Sequence, residues 1–400
     1  MEAAPLTLTP GRGRIGERLG LAYFDAWLLA AGLGLIAFSI FTLAVATPDA
    51  VQGQPLYFAI RQSLYAAVGI VLMLAVARID YSRFREIRVG IYSLMIASIV
   101  LVLMFGAAAR GSRRWIELPY FRFQPSELAK LLLVVAIAAF VIERTRRGTP
   151  MRQTIHILAL GLAPAALVFL QPDLGTGIVL VVVTLTILFL AGVPWRHFAV
   201  IGGLAAIAVS FVLMIAPAAG LPSPLHGYQQ DRLTAFLHPS NDPSDASYQV
   251  NQSVTAIGSG EKAGRGDNST QTELLFLPER HTDFIFAVVG ERFGFLGAAF
   301  VLSLYALLIW RMLRILTLSK NLYGTLIAGG IAAMLMFQIL VNVGMTLGVM
   351  PVTGITLPLM SYGGSSVLAT FLAIGLLQSI HAQARLSSST RSRAPIPLLR

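Results

Sequence analysis

No cysteine occurs among the 400 residues, which excludes disulfides, thiolate nucleophiles and cysteine-held metal. Charge is nearly as scarce. Asp, Glu, Lys and Arg make up 12 % of the chain, against roughly a quarter in a soluble domain. The six histidines are scattered, and no pair has metal-ligand spacing. His156, His197 and His381 lie near the ends of apolar runs and read as interfacial, which leaves His281 as the one to test. Nucleotide-binding loops are missing too. Gly258-Ser-Gly260 with Gly264 and Gly266 has neither G-x-G-x-x-G spacing nor a Walker lysine, and no strand precedes it. Arg265-Gly-Asp267 and Asn268-Ser-Thr270 are short chance matches on a polar stretch.

What the chain has is apolar length. Hydrophobic residues make up 56 % of it, and the mean hydropathy is +0.73. Ala26–Thr47, Val89–Ala109, Gln153–Pro172, Leu174–Trp195 and Phe293–Trp310 contain no Asp, Glu, Lys or Arg. Each is close to the roughly 20 residues that cross about 30 Å of hydrocarbon as a helix. The expected fold is an all-α polytopic membrane protein. Ten spans fit, at about 24–46, 56–77, 89–109, 125–142, 155–170, 174–192, 197–217, 283–310, 322–345 and 363–381.

The net charge of +11 and the pI near 10.3 would point to nucleic acid in a soluble chain. Their placement argues for topology instead. With ten spans, 19 of the 30 Lys and Arg residues fall on one side, from Arg12, Arg14 and Arg18 to Arg385, Arg391 and Arg393. The positive-inside rule makes that side cytoplasmic, with both termini inside. Of the 19 acids, 13 lie on the other side or at the outer ends of spans. Residues 1–23 then form a cytoplasmic segment, 24–382 a membrane domain and 383–400 a cytoplasmic tail. Rich in Ser, Pro and Arg, Arg385–Arg400 reads as disordered. No cleavable signal peptide is expected, because the first apolar run is long enough to remain as an anchor. Neither an internal repeat nor a low-complexity tract is visible.

The polar residues concentrate in four outer segments. The longest, about 218–282, holds five prolines and the apolar residues Leu233, Phe236, Leu274, Leu275 and Phe276. Those apolar residues predict an ordered lid anchored to the bundle. The first motif is Gly111-Ser-Arg113-Arg114-Trp115, followed by Phe123-Gln-Pro-Ser-Glu127-Leu-Ala-Lys130. There Ser126 is the expected N-cap, and Glu127 and Lys130 sit three residues apart in the first turns of a membrane helix. Ionisable groups at that depth are functional candidates by default, although an intrahelical ion pair would also account for them. The second motif, Gln171-Pro-Asp173-Leu-Gly-Thr176, places Asp173 either as a helix cap or in the cavity.

The third motif is Leu277-Pro-Glu-Arg280-His281-Thr-Asp283-Phe-Ile-Phe-Ala287. On a continuous helix, Asp283, Ala287, Gly290, Gly294 and Gly297 would lie within about ±40° of one line. Such a stripe of small residues suits close packing and would turn Asp283 into the bundle. Burial there would raise its pKa and make it a general base. The alternatives are a helix cap or a pair with Arg280. The fourth motif, Pro351 to Ser366, contains Ser361, Tyr362, Gly363 and Gly364. Its two prolines and three glycines argue against a continuous helix, an ordinary outer turn being the alternative to a site lining. Non-helical backbone at membrane depth is expected to line a polar site.

In this order, the motifs resemble the SEDS family of bacterial cell-wall polymerases. The resemblance covers about residues 25–382 and rests on Gly111–Trp115, Gln124–Lys130, Gln171–Thr176, Pro278–Val288 and Ser361–Ser366. Gly344–Gly354 is more similar to the elongation members, the RodA type, than to the division members, the FtsW type. Two departures stand out. Glu291-Arg292 replaces a pair of acids, and Glu261 interrupts a usual Gly-Ser-Gly-Gly stretch.

The resemblance implies a peptidoglycan glycosyltransferase of the bacterial inner membrane with its active site facing the periplasm. It would join lipid II units by β-1,4 bonds during rod-shaped growth. Asp283 would take the proton from the acceptor 4-OH, with Glu127 orienting Lys130 or Asp283. Arg113, Arg114, Lys130 and Arg280 are the candidates for the pyrophosphate, joined by a divalent cation (magnesium or manganese) if one is used. Trp115 would stack on a sugar, while Asp173, His281, Ser361, Tyr362, Gly363 and Gly364 would line the substrate site. Polyprenyl chains would lie in apolar grooves among membrane lipid. The implied partners are a class B penicillin-binding protein and the MreB-associated machinery, with no nucleic acid. A lipid carrier or flippase is the competing class. Against it, the polar motifs sit at outer helix ends instead of the midplane.

Overall fold

The computed structural model describes residues 23–47, 53–109, 112–118, 121–144, 150–212, 232, 236, 245–274, 276–277 and 279–392. Every expected span holds a helix. In chain order these are α1 (Ala26–Ala46), α2 (Tyr57–Ala77), α3 (Arg88–Phe105), α4 (Pro125–Arg144), α5 (Pro150–Leu170), α6 (Leu174–Leu190) and α7 (Trp195–Ser210). After α8 (Asp245–Ser259) in the long loop come α9 (Ile285–Leu318), α10 (Leu322–Thr346) and α11 (Gly364–Ser392). Eight of them are long and apolar enough to cross a membrane, while α6 and α7 are apolar but have only 17 and 16 residues.

Burial separates centre from rim. In α10 and α11, 83 % and 89 % of the apolar window is buried, against 17 % in α3. Lipid tails are as apolar as leucine, so helices associate here through close packing at small residues. At the α2–α11 crossing, a Cβ on Gly375 would stand 2.6 Å from the Met73 carbonyl oxygen. Only glycine permits that approach.

Besides α8, the outer segments add a small sheet to the expected helices. The first outer segment forms a three-stranded antiparallel sheet of β1 (Ala107–Ala109), β2 (Ser112–Leu118) and β3 (Phe121–Phe123). Ala107 pairs with Trp115 and Ala108 with Arg113. Arg114 is therefore the extra residue of a bulge, an irregularity that re-aims a side chain.

Several expectations need correction. Asp283 is not on a continuous helix with the glycines below it: α9 starts at Ile285, and Gly294 breaks it with φ 64° and ψ −159°. A straight helix of 34 residues would run about 51 Å, far longer than the bilayer core. Gly290 is packed by Ile257 of α8, so the small residues seat the long loop.

The loop's anchors also differ. Phe236, Leu274 and Phe276 are largely exposed, whereas Ala256 and Leu277 are buried with Phe284, Ala287, Met345 and Val352. Leu233 and Leu275 lie outside the described residues. The tail expected from Arg385 is helical as far as Ser392, because α11 continues across that boundary.

The two departures are satisfied locally. Buried Glu291 accepts bonds from Gln271 N, Thr272 N and Thr272 Oγ1, and Arg292 pairs with Asp267. At the opposite end of the bundle, His381 is buried beside Asp25, 3.8 Å away, instead of lying at an interface.

Candidate active site

The four motifs meet at the loop-bearing end. Pro125 opens α4, where its missing N–H costs nothing. Ser126 is therefore inside the helix and is not the cap, and its hydroxyl accepts a bond from Gln124 Nε2 at 3.1 Å. One turn on, Lys130 Nζ donates to Glu127 Oε1 at 2.8 Å, with both side chains buried. Gln124 Nε2 also reaches Asp173 Oδ2 at 3.3 Å, and its backbone N donates to Ser365 Oγ at 2.9 Å.

Asp173 is the helix cap, and it also meets other motifs. It caps α6 by accepting from Thr176 N at 3.2 Å, and its other oxygen faces Gln124. The bulge brings Arg114 to it: Nη1 lies 3.9 Å from Asp173 Oδ1, and the guanidinium donates to the Gln171 and Pro172 carbonyls.

Asp283 lies between these groups and the broken segment 347–363. It does not cap α9, whose N-cap is Phe284. Its backbone carbonyl accepts from Asn342 Nδ2 at 2.9 Å, and the same amide holds Ile355 O at 2.8 Å. Among the described residues nothing donates a hydrogen bond to its carboxylate, which is partly buried. Burial pushes its pKa up to about 6, helped by Glu279 and Asp173 and opposed by Arg232 and Arg114. Such a carboxyl is ionised at neutral pH yet basic enough to take a proton. Gly354, with φ 71°, lies beside it: a Cβ there would be in ordinary contact, 3.5 Å from Arg232 Nη1 and 3.6 Å from Asp283 Oδ2, but on strained backbone.

Other expected site residues take supporting places. Ser361 Oγ donates to Thr282 O at 2.7 Å and accepts from Leu357 N at 2.8 Å, clamping the two motifs together. Tyr362 N donates to His281 O at 2.9 Å, and Gly363 N donates to Gln62 Oε1 at 3.4 Å. Gly364 opens α11, and Trp115 is partly buried on β2. Arg280 does not join Asp283. It is buried and donates to Thr272 O, inside the loop. Arg113 is placed on β2 by its backbone pairing.

Arg232, Asn342, Gln62 and Gln124 were not among the expected site residues. Gln62 and Asn342 are buried polar side chains within apolar helices, a signal that reads as functional on its own. Arg232 carries no such signal, because it stands in a long polar loop. Among the described residues no three His, Cys, Asp or Glu side chains gather to hold a metal. Glu127 and Asp173 are taken up by Lys130, Gln124 and Thr176, so they do not form a donor set for magnesium or manganese.

Comparison with known proteins is consistent over nearly the whole chain. Residues 21–386 match the family described as FtsW, RodA and SpoVE cell cycle protein. The peptidoglycan glycosyltransferase MrdB of Escherichia coli K12 is 37 % identical over 369 residues, 92 % of this chain and 96 % of MrdB. Stage V sporulation protein E of Bacillus subtilis is 34 % identical over 362 residues, 90 % of this chain and 95 % of that protein. A chain of a peptidoglycan synthase complex, in a structure concerned with coordinating polymerization and crosslinking, superposes with a TM-score of 0.76 at 33 % identity. The match covers 91 % of this chain and 99 % of that one. The rod shape determining protein RodA of Thermus thermophilus gives 0.66 at 30 % identity, covering 90 % and 96 %.

Proposed function

We propose that this chain, which belongs to the FtsW, RodA and SpoVE family of cell cycle proteins, polymerises lipid II with Asp283 as general base. It is a peptidoglycan glycosyltransferase, a multi-pass protein of the inner membrane that serves wall elongation. The observation that carries the assignment of the base is the Asp283 carboxylate, which no described residue hydrogen-bonds and which burial raises to about 6 against the pull of Arg232 and Arg114.

Asp283 accepts the proton of the acceptor 4-hydroxyl as that oxygen bonds to the donor anomeric carbon. The bond to the pyrophosphate breaks on the opposite face, which converts an α-linkage into a β-1,4 bond. The departing diphosphate carries negative charge, and Arg114, Arg232 and Lys130 supply the positive field that stabilises it. Glu127 holds Lys130 in place, and Asn342 holds Asp283 through its backbone. A class B penicillin-binding protein crosslinks the product, and the MreB-associated machinery organises both. The site opens to the periplasm, with both termini in the cytoplasm.

Purified protein with its transpeptidase, given labelled lipid II, is expected to yield glycan polymer on a gel; no polymer would contradict the assignment. The orientation has its own test, made simple by the absence of native cysteine. Arg265→Cys should react with an impermeant maleimide in intact spheroplasts, and Arg391→Cys only after lysis. The reverse pattern would contradict the periplasmic site.

Gly354→Ala tests how tightly the site is built. The substitution puts a side chain at positive φ, costing about 1–2 kcal/mol, next to both charged groups. Polymerisation is expected to fall about tenfold or more, since a displacement of roughly 1 Å can cost 10²-fold. Unchanged turnover would show that the space beside Asp283 is not used.

A further inference from the structure

The helix α2 presents three distinct faces. Ile60, Leu64, Val68 and Val71 are exposed, while Ala59, Gln62, Ala66 and Gly69 are buried against neighbouring helices. Between them, Tyr57, Phe58, Arg61 and Tyr65 are partly buried on one stripe of the outer turns. An interfacial aromatic belt would turn such rings towards headgroups. These rings turn towards the site.

Phe58 stacks on the His281 ring, with centroids 4.5 Å apart and planes 26° apart. It also meets Tyr362 edge-on at 4.7 Å. Tyr65 lies 6.1 Å from Tyr362. The Arg61 guanidinium sits 4.6 Å over the Tyr57 ring and faces the Tyr362 phenol closely enough to interact with it. Among the described residues, Arg61 makes no ion pair. Among those residues its charge faces phenols, with no carboxylate beside it. The cluster is two residues from Asp283 along the chain, through His281.

We propose that this wall is a subsite for the lipid-linked substrate, with Phe58 and its neighbouring rings against a pyranose face and Arg61 on the diphosphate. Aromatic faces suit the C–H face of a sugar ring. A planar guanidinium fork matches phosphate oxygens two at a time. The proposal rests on the reading above that the substrate is lipid II.

The full-length protein in nanodiscs is titrated with a labelled short-chain lipid II and, separately, with a sugar-free polyprenyl diphosphate. Arg61→Gln should weaken both ligands about tenfold, the worth of a charged hydrogen bond. Phe58→Leu, which keeps apolar bulk but loses the ring, should weaken lipid II about tenfold and leave the sugar-free ligand within about twofold. Phe58→Trp should restore lipid II binding, and Leu64→Ala on the exposed face should change neither affinity. Thermal unfolding of each variant shows whether the fold is kept.

Unchanged affinities in Arg61→Gln and Phe58→Leu would overturn the subsite. Equal loss of both ligands in Phe58→Leu would overturn the sugar contact. Lipid II bound normally by the wild type yet never polymerised would count against the enzymatic reading and leave the subsite standing. A wild type that binds neither ligand would overturn both.

Discussion

Asp283→Asn is expected to lower lipid II polymerisation by about 10²–10⁴-fold, the usual worth of a general base. The fold should survive. Asn is isosteric, the carboxylate caps no helix, and the bond from Asn342 goes to the backbone carbonyl, which the substitution leaves alone. The sign of the stability change follows from the raised pKa. The folded state holds the Asp283 proton more tightly than the unfolded chain, whose value is 3.8. Its stabilising contribution is therefore complete below about pH 4 and is lost as the pH rises through about 6. At neutral pH the ionised carboxylate is held at a cost, so the Asn variant should melt no lower than wild type. A large fall in Tm with normal turnover of the folded fraction would return Asp283 to a structural role.

Lys130→Met should give the second largest effect. Lys130 and Glu127 are both buried, and among the described residues the Glu127 carboxylate is held by the ammonium alone. Removing one member of such a pair costs about 3–5 kcal/mol through the charge left behind. Activity and stability are therefore expected to fall together in Lys130→Met. The double variant Lys130→Met with Glu127→Gln separates the two effects. It removes both charges, so thermal stability should largely return while polymerisation stays low. Lys130→Arg keeps the charge without the compact ammonium geometry and should retain partial activity. Near wild-type polymer yield from the double variant would make the pair structural only.

The ten helices were legible because apolar length is a strong signal, and charge placement divided the loops into two sets. The four motifs stood out because prolines, glycines and ionisable residues interrupt the apolar pattern there, and the structure brings them together. Smaller features were not. Nothing in Gly111–Trp115 announces a sheet, since three short strands make no periodic pattern long enough to read. Gly294 looks like any small residue in a packing stripe, yet it breaks α9, and the helix starts only at Ile285, which leaves Asp283 outside it. Leu274 and Phe276 are apolar but exposed, because a loop's anchors depend on where α8 docks. Arg232 comes into electrostatic range of Asp283 from the long loop through tertiary structure alone. Asn342 and Gln62 are different: each is a buried amide in an apolar helix, and both could have been marked from sequence.

The most direct test of Asp283 as the base is the pH dependence of kcat for lipid II polymerisation, on wild type and Asp283→Asn prepared with the same transpeptidase. Wild-type kcat should fall as pH drops through about 6, where the carboxyl takes up its proton. The small residual rate of the Asn variant should show no such limb. An Asn variant that polymerises at wild-type rate, or one with the same acidic limb, would contradict the assignment of Asp283 as the base.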